Sequence, residues 1–434
     1  MIEFKKDENG VDEFELPFLA EQVMKMDDLG KRDGRWNLVI YLKLNGILDK
    51  EKLEKSINKM FENNDAMRVI SVREEGNFKF KILKEYKFNL EVKKIKGKTR
   101  EESILLATKD ANKIGAQAID VFNTVGYRFL LYEISEMEHF LLIVGHHTVC
   151  DPTSLYLFSV KLMDYYNKGN SPFDKVSTSY MEYLKDYAAF ENSKEAEEQR
   201  RYWEKELAGY KYPYYGIDET KESLISAEYG NFEFDSNVIS QIAKDNNMSK
   251  FHVVMLIFHI AMAKIYKTND TIVNYAISDR NEEKYVYTIG AMARYMINRL
   301  KFNDNDKVKD MFPAIRKKLA EGFKYSKESQ LYKKAPYVIT YQEGTMKMPE
   351  FNGNPIDYVP LESKRTFTDM LIIVMDMGNT ILVTIDCDTR CFDREYLDDI
   401  KRICTEVQYI LANNKDMTFK EIMEEDPEEN ILLI

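Results

Sequence analysis

The sequence of residues 140–151 is Phe-Leu-Leu-Ile-Val-Gly-His-His-Thr-Val-Cys-Asp, and it holds two of the five histidines in the chain. The apolar run that ends at Gly145 is typical of a buried strand. His146 and His147 follow at once, and a segment of helical character begins after Pro152. This order predicts a strand, a tight turn and a helix, with the histidine pair at the end of the strand.

His147 is a candidate general base, because imidazole is the side chain whose ordinary pKa allows proton exchange near neutral pH. A histidine held at a strand end by a fixed turn is well placed to accept a proton from a nucleophile. A structural interpretation is also open. Asp151 is a good helix N-cap and Pro152 suits the first helical turn, so the motif can simply start a helix.

The other cysteines and histidines give weaker signals. Cys150 is expected to pack as a small apolar residue rather than to form a covalent intermediate. His252 and His259 lie on one face of a predicted helix, about 10 Å apart, so they are expected to be core residues with single hydrogen bonds. Cys387 and Cys391 have no neighbouring histidine, and no metal site is predicted.

Composition narrows the class of protein. A length of 434 residues suits two domains, and 44% apolar and 12% aromatic residues are typical of a globular chain. A net charge of −11 argues against a nucleic-acid partner. No secretory signal is expected, because residues 1–7 contain no apolar segment. Residues 253–263 are too few to span a bilayer, and the four cysteines show no disulfide pattern. A cytoplasmic protein without a membrane partner is therefore expected.

Hydrophobic periodicity predicts mixed α and β structure in both halves of the chain. In the first half we expect strands at 36–46, 78–83 and 88–95, helices at 50–63, 101–114 and 153–168, and a hairpin of 127–134 with 139–145. In the second half we expect a buried helix at 251–267, a strand at 271–276, a hairpin of 370–375 with 380–386, and a helix at 393–412. The charged segment 179–207 is predicted to be helical and to form a solvated connector between the halves.

Several short motifs resemble, in order, those of the condensation domains of nonribosomal peptide synthetases, which are relatives of chloramphenicol acetyltransferase. The family signature HHxxxDG corresponds to residues 146–152, with Pro152 in the place of glycine. The other matches, which together cover nearly the whole chain, are PLSxxQ at 17–22, HExLR at 64–68, YWxxxL at 202–207, a GRNR-type segment at 278–281, the start of IGxFVNT at 289–290, and residues 336–342.

The resemblance implies an α/β (α+β) fold of two chloramphenicol acetyltransferase-like subdomains arranged as a V with a central tunnel. We expect the first subdomain at 1–178, a connector at 179–214 and the second subdomain at 215–434. The implied activity is amide bond formation between thioesters on the phosphopantetheine arms of carrier proteins. No intrinsic metal or redox cofactor is implied. The expected partners are acyl or peptidyl carrier proteins and a flanking adenylation domain, around a monomer.

The resemblance also implies roles for individual residues. His147 would be the base or would position the amine, and His146 would support the loop. Asp151 would be structural. The remaining candidates are Arg280 as the ion-pair partner of Asp151, Arg68 as a second choice for that partner, Gly145 as a point of close substrate approach, and Arg294 beside the substrate tunnel.

Three departures from the family pattern leave alternatives open. Besides Pro152, Asn64 replaces a histidine, and Arg294 stands where the family has asparagine. A cation at that position would select an acidic substrate or mark a degenerate site. The intact His146, His147 and Asp151 favour an active enzyme. The alternatives are a non-catalytic module that binds carrier proteins and a stand-alone acyltransferase that uses coenzyme A or a free amine or alcohol. Residues 424–434 resemble the start of the linker that follows such domains.

Overall fold

A computed structural model describes residues 4–6, 12–15, 20–21, 23–25, 34–74, 77–211, 213, 216–218, 220, 230–331, 337–344, 349–361 and 368–425. Most of the segment that resembles PLSxxQ lies outside these residues. Pro336 and residues 426–434 of the linker-like end lie outside them as well.

Helices and strands alternate along the chain. The α-helices are α1 (Lys50–Asn63), α2 (Arg100–Gly115), α3 (Pro152–Lys168), α4 (Tyr180–Glu191), α5 (Lys194–Leu207), α6 (Ser236–Asp245), α7 (Lys250–Tyr266), α8 (Val308–Lys324), α9 (Arg394–Asn413) and α10 (Phe419–Glu424). Short 3-10 helices span Asp65–Arg68, Pro172–Lys175, Glu283–Tyr285 and Ser326–Leu331.

The strands are β1 (Phe4–Lys6), β2 (Asp12–Glu15), β3 (Asn37–Asn45), β4 (Val69–Glu74), β5 (Asn77–Ile82), β6 (Glu91–Lys94), β7 (Tyr127–Ser135), β8 (Glu138–His146), β9 (Phe232–Phe234), β10 (Asp270–Ser278), β11 (Ala293–Lys301), β12 (Tyr337–Glu343), β13 (Glu350–Phe351), β14 (Asn354–Pro355), β15 (Asp357–Tyr358), β16 (Met370–Asp376) and β17 (Ile381–Cys387). The predicted mixture of helix and sheet in both halves is confirmed.

The chain forms two compact units that are not contiguous in sequence. The first consists of Met1–Ser193, Ser278–Ala293 and Lys347–Ser363, and the second of Lys194–Ile277, Arg294–Met346 and Lys364–Ile434. This division differs from the predicted boundaries at 178 and 214. Two segments from the second half belong to the first unit. One contributes β15 to the edge of a sheet beside β3, and the other hydrogen-bonds to the start of α3.

The main sheet of the first unit has the order β15-β3-β8-β7-β6. Strand β8 lies in its middle, antiparallel to both β3 and β7, with Asn37 opposite His146 and Tyr127 opposite Gly145. Every residue of β8 is buried, which explains its nearly continuous apolar sequence. The strand therefore carries the histidine pair from the centre of a core to a fixed position at its end. A second sheet in this unit has the order β1-β2-β5-β4.

Helix α3 begins as the residues at its start predict. The Asp151 side chain accepts a hydrogen bond from the Ser154 backbone N–H at 2.7 Å, and Pro152 occupies the first turn. Gly169 ends the helix with φ of +78°, a backbone conformation that glycine adopts without steric cost. The predicted capping role of Asp151 and the tolerance of Pro152 are thus confirmed.

The second unit is built on a sheet of order β11-β10-β12-β16-β17-β9 and on the buried helix α7. All residues of α7 from Val253 to Ala263 are fully buried, as their apolar sequence predicts. Strands β16 and β17 pair as the predicted antiparallel hairpin, and Gly378 has φ of +86° in its turn. Among the described residues no single helix is long and apolar enough to cross a membrane, and only α6 and α7 together pass such a test, with a bend of 104° between them.

The predicted helical character of 179–207 is confirmed, but the prediction that this segment is a solvated connector is wrong. The segment forms helices α4 and α5, which belong to different units. Helix α4 buries Tyr180, Tyr183 and Tyr187 at a spacing of three to four residues, which is one face of a helix. The many charges of α5 masked this pattern when the segment was considered as a whole.

The buried His259 on α7 makes two hydrogen bonds, where the sequence predicted one. Its Nδ1 lies 2.7 Å from Thr271 Oγ1, and its Nε2 lies 2.8 Å from Asn298 Oδ1. Burial lowers the pKa of His259 to about 4, although the bond to Asn298 opposes this shift. His252 is less deeply buried and makes the single bond predicted, to Ser249 at 2.6 Å.

The pKa of His259 predicts that the second unit loses stability in mild acid. Because the unfolded chain binds this proton at about pH 6.5 and the folded chain does so only near pH 4, the free energy of unfolding should fall as the pH drops through this window. The share of His259 in this fall is about 1.4 kcal/mol per pH unit. Urea unfolding between pH 6.5 and 4.5, followed by Trp203 fluorescence in a Trp36→Phe background, measures it.

The matched variant is His259→Gln, which keeps hydrogen-bonding groups but cannot take up this proton. We expect its stability to depend less steeply on pH, by one proton. An unchanged slope in His259→Gln would contradict the assignment of this titration to His259.

Candidate active site

Backbone hydrogen bonds join the histidine pair to the residues that directly precede the two neighbouring strands, β7 and β3. The His146 N–H donates to the Gly126 carbonyl at 2.7 Å, and the His147 N–H donates to the Trp36 carbonyl at 2.8 Å. The turn then closes with a bond from the Val149 N–H to the His146 carbonyl at 3.1 Å. The two imidazoles therefore sit on a backbone that is fixed on each side.

The His146 imidazole points into the turn and is buried. Its Nδ1 accepts a hydrogen bond from the Thr148 N–H at 3.3 Å and lies 2.9 Å from Thr148 Oγ1. Burial, with a contribution from neighbouring His147, lowers the pKa of His146 to about 3. The ring is therefore neutral at physiological pH, and its contacts fit the predicted support of the loop.

The His147 imidazole is 4% exposed and packs against the Trp36 indole. The two ring centroids are 6.4 Å apart at an interplanar angle of 69°, an edge-on contact. Burial lowers the pKa of His147 below the ordinary value of 6.5, while the charge of Asp151 and hydrogen bonds with backbone groups oppose the shift. A neutral imidazole at pH 7 can accept a proton, which a general base requires.

Asp151 and Arg280 form the predicted ion pair. Arg280 Nη1 donates to Asp151 Oδ2 at 2.7 Å, and Nη2 donates to Oδ1 at 3.1 Å. The side chains of Asp151 and Arg280 are 1% and 5% exposed. The Met292 N–H also donates to Asp151 Oδ2, at 2.9 Å. Burial alone would raise the pKa of Asp151, but Arg280 and Ser154 outweigh it and hold that pKa below its ordinary range.

Ser154 completes this network, in a role that was not predicted from the sequence. Its hydroxyl donates to the Gly290 carbonyl at 2.6 Å and accepts from the Gly290 N–H at 2.9 Å and from Arg280 Nη2 at 2.8 Å. A serine in the first turn of a helix gives no local sign of such distant partners. Together Asp151 and Ser154 attach residues 290–292 to the start of α3.

The structure gives Gly145 a role in packing instead of substrate approach. A side chain at this position would place its Cβ 3.0 Å from Cys150 Sγ and 3.3 Å from Leu155 Cδ2. The space above Gly145 is thus filled by the turn and by α3. Glycine is needed here because the chain folds back closely on the end of β8.

Arg68 and Arg294 each bond to a backbone carbonyl of their own unit. Arg68 donates to the carbonyls of Leu83 and Glu62, each at 2.9 Å, and so binds the end of α1. It is not the partner of Asp151, which Arg280 occupies with both nitrogens. Arg294 belongs to the second unit, where its Nη1 donates to the Lys327 carbonyl at 2.9 Å.

Cys150 is a buried thiol, and burial raises its pKa above the ordinary 9.0. It therefore lacks the thiolate character of a nucleophile, and its contacts fit the expected packing role. Within the described ranges, no three His, Cys, Asp or Glu side chains are grouped to hold a metal ion.

A polar cavity of about 290 Å³ lies in the first unit. None of the motif residues lines it, and its lining residues are Asn63, Asn64, Asp65, Asp174, Ser177, Thr178, Ser179 and Ile289. Several of these side chains bond to one another or to the buried Lys161, whose Nζ donates to Asn64 Oδ1 at 3.0 Å and to Ser177 Oγ at 3.1 Å. The candidate active site therefore rests on the motif and its network.

Comparison with known proteins identifies the fold and the family pattern. The family model described as Condensation domain matches residues 15–431. Bacitracin synthase 3 of Bacillus licheniformis is 21% identical over 427 residues, which cover 92% of this chain and 6% of that protein. The chain spans only 2% to 8% of the length of the curated relatives it matches.

Solved structures share the fold over nearly the whole chain. The starter condensation domain of rhizomide synthetase has a TM-score of 0.78 at 12% identity, with 95% of this chain and 99% of that chain covered. The X-domain from teicoplanin biosynthesis has a TM-score of 0.76 at 15% identity, with 94% and 96% covered. The X-domain also has a structure in complex with OxyB. These matches confirm the predicted class of fold.

The buried ion pair predicts that Asp151→Asn destabilises the first unit. The substitution leaves the Arg280 guanidinium buried without its counter-charge, and we expect the free energy of unfolding to fall by about 3–5 kcal/mol. Arg280→Gln should have a similar effect, and the double variant should lose less than the sum of the two. Urea unfolding followed by Trp36 fluorescence in a Trp203→Phe background reports on this unit.

Glu21→Gln is the control within the same unit, since the Glu21–Lys25 pair is exposed and should change stability by less than about 1 kcal/mol. If Asp151→Asn kept its unfolding midpoint but lost activity, the structural role of Asp151 would be contradicted.

Proposed function

Since the chain belongs to the condensation-domain family, we propose that it transfers an acyl group from a carrier-protein thioester to an amine acceptor in nonribosomal peptide biosynthesis. One observation carries this proposal. The buried His147 is kept neutral at the end of β8, on a turn that the Asp151–Arg280 pair anchors. A neutral imidazole held in this way can accept the proton that the amine loses when the amide bond forms.

The proposed reaction uses His147 for the proton of the attacking amine. The acceptor nitrogen attacks the donor thioester carbonyl, the N–C bond forms, and the C–S bond breaks. A neutral ring nitrogen of His147 accepts the proton that the nitrogen loses. The imidazolium then returns the proton to the leaving thiolate, so that the enzyme ends in its starting state.

The lowered pKa of His147 supports its role as the acceptor of the proton. An imidazolium cannot accept a proton, and burial keeps the ring in the neutral form at pH 7. The charge of Asp151 favours the imidazolium that forms during the reaction. Holding two reactants beside such a base contributes to the rate as well, because it removes the entropic cost of bringing them together.

Access to His147 sets a requirement on the substrates. Because His147 is only 4% exposed, a donor and an acceptor must reach its ring through a narrow passage or displace its neighbours. A thioester on a long, thin phosphopantetheine arm suits such a path better than a bulky free substrate does. The proposed partners are therefore acyl or peptidyl carrier proteins, with the arm belonging to the carrier.

A non-catalytic binding module is the second candidate. The match to the X-domain, which has a structure in complex with OxyB, favours it. The departures from the family pattern at Asn64 and Arg294 also favour a binding module. Pro152 does not favour it, because proline fits the first turn of α3. A stand-alone acyltransferase that uses coenzyme A, or that acts on a free amine or alcohol, is a third candidate. A flanking adenylation domain remains part of the first proposal.

Turnover with loaded carrier proteins tests the proposal. Donor and acceptor carriers from the same gene neighbourhood are mixed with the protein, and the acceptor-bound product is measured by mass spectrometry. We expect His147→Ala to lower the rate by at least about 100-fold, the lower range for loss of a general base. Circular dichroism checks that the variant is folded.

The control is His252→Asn, which removes a histidine of the second unit whose ring bonds to Ser249. It should turn over like the wild type. Full turnover by His147→Ala would remove the base assignment. Binding of both carriers without any product from the wild type would favour the binding module, and product from coenzyme A thioesters alone would favour the stand-alone enzyme.

A further inference from the structure

We propose that Trp36 is a positioning residue for His147, which holds the imidazole in one orientation and shields one side of it from water. The inference rests on the proposed function of His147. Trp36 lies outside the HHxxxD motif, 111 positions before His147 in the chain.

Trp36 contacts His147 in two ways. Its carbonyl accepts the His147 backbone N–H at 2.8 Å, so it holds the backbone of that residue. Its indole meets the imidazole edge-on, with 6.4 Å between the ring centroids. An edge-on pair is a favoured aromatic geometry and restricts rotation of the smaller ring. Trp36 itself is 5% exposed, so its indole lies in the packed interior.

The turn that carries Trp36 is itself rigid. Gly34 has φ of +75°, and its carbonyl accepts the Asn37 N–H at 3.0 Å. The Cβ of any side chain on Gly34 would collide with the Ala116 carbonyl oxygen, so the turn lies directly against the end of α2. Asn37 Nδ2 donates to the carbonyls of Gly115 and Gln117 at 2.8 and 2.7 Å. The backbone of Trp36 is thus held in place by the contacts of Gly34 before it and Asn37 after it.

Removal of the indole should change the imidazole in a defined direction. Space beside His147 would admit water, and water stabilises the charged form that burial now disfavours. The charge of Asp151, which also acts on this ring, would stay in place, and the neighbouring His146 would stay neutral. The pKa of His147 should therefore rise towards 6.5, and its orientation should become less defined.

Titration of the histidines by NMR in the full chain tests the inference. The signal of His147 is assigned by its loss in His147→Gln. We expect Trp36→Ala and Trp36→Leu to raise the pKa of His147 and to lower kcat by at least about tenfold with little change in KM, because misplacement of a catalytic group lowers the rate of the chemical step. Trp36→Phe should retain most of both properties, since it keeps an aromatic ring.

Trp203→Phe is the matched control, because Trp203 is the other of the two tryptophans and lies in the second unit. It should change neither the titration of His147 nor kcat. Should Trp36→Ala fail to fold, Trp36→Leu decides. An unchanged His147 titration and kcat in the folded variant overturns the inference. Full turnover by His147→Ala would instead contradict the proposed function. That result does not depend on how the Trp36 variants change the titration of His147.

Discussion

The buried ion pair of Asp151 and Arg280 is the interaction on which the candidate site depends. Removing two charges from water is costly, and a buried pair persists only when its geometry is good and its remaining groups are bonded. Here Arg280 binds both oxygens of the Asp151 carboxylate, and the backbone N–H groups of Ser154 and Met292 donate further hydrogen bonds to it. The pair thereby joins the start of α3 to a segment that returns from the second half of the chain.

This clamp fixes the histidine turn from its far end, while β8 fixes it from the near end. His147 lies between them and has little freedom to move. Its neutral ring, its edge-on contact with Trp36 and the nearby carboxylate are consequences of the same dense packing. Stability and chemistry are thus coupled, because the bonds that hold the turn also set the electrostatic surroundings of the base.

Much of the local structure could be predicted from the sequence. The order of β8, turn and α3 follows from an apolar run, a capping aspartate and a proline, all of which act on near neighbours. The buried helix α7 and the hairpin around Gly378 were predicted on the same basis. The helical character of α4 was predicted as well, but the burial of its tyrosines was not, because they stand among charged residues. The role of Gly145 was also missed, since its reason is the position of Cys150 in space.

The sequence by itself determined the elements that carry the site and, through its ordered motifs, the family. It did so because helix caps, turns and apolar periodicity depend on residues a few positions apart. Only the tertiary structure decided that Ser154 bonds to Gly290 and that Trp36 packs on His147. It also decided that the units interleave in sequence. Asp151 and Arg280 are 129 positions apart. Their pairing was predicted from the family resemblance, because no local sequence pattern indicates it. Such contacts depend on how whole sheets and helices pack, and no short stretch of chain encodes that.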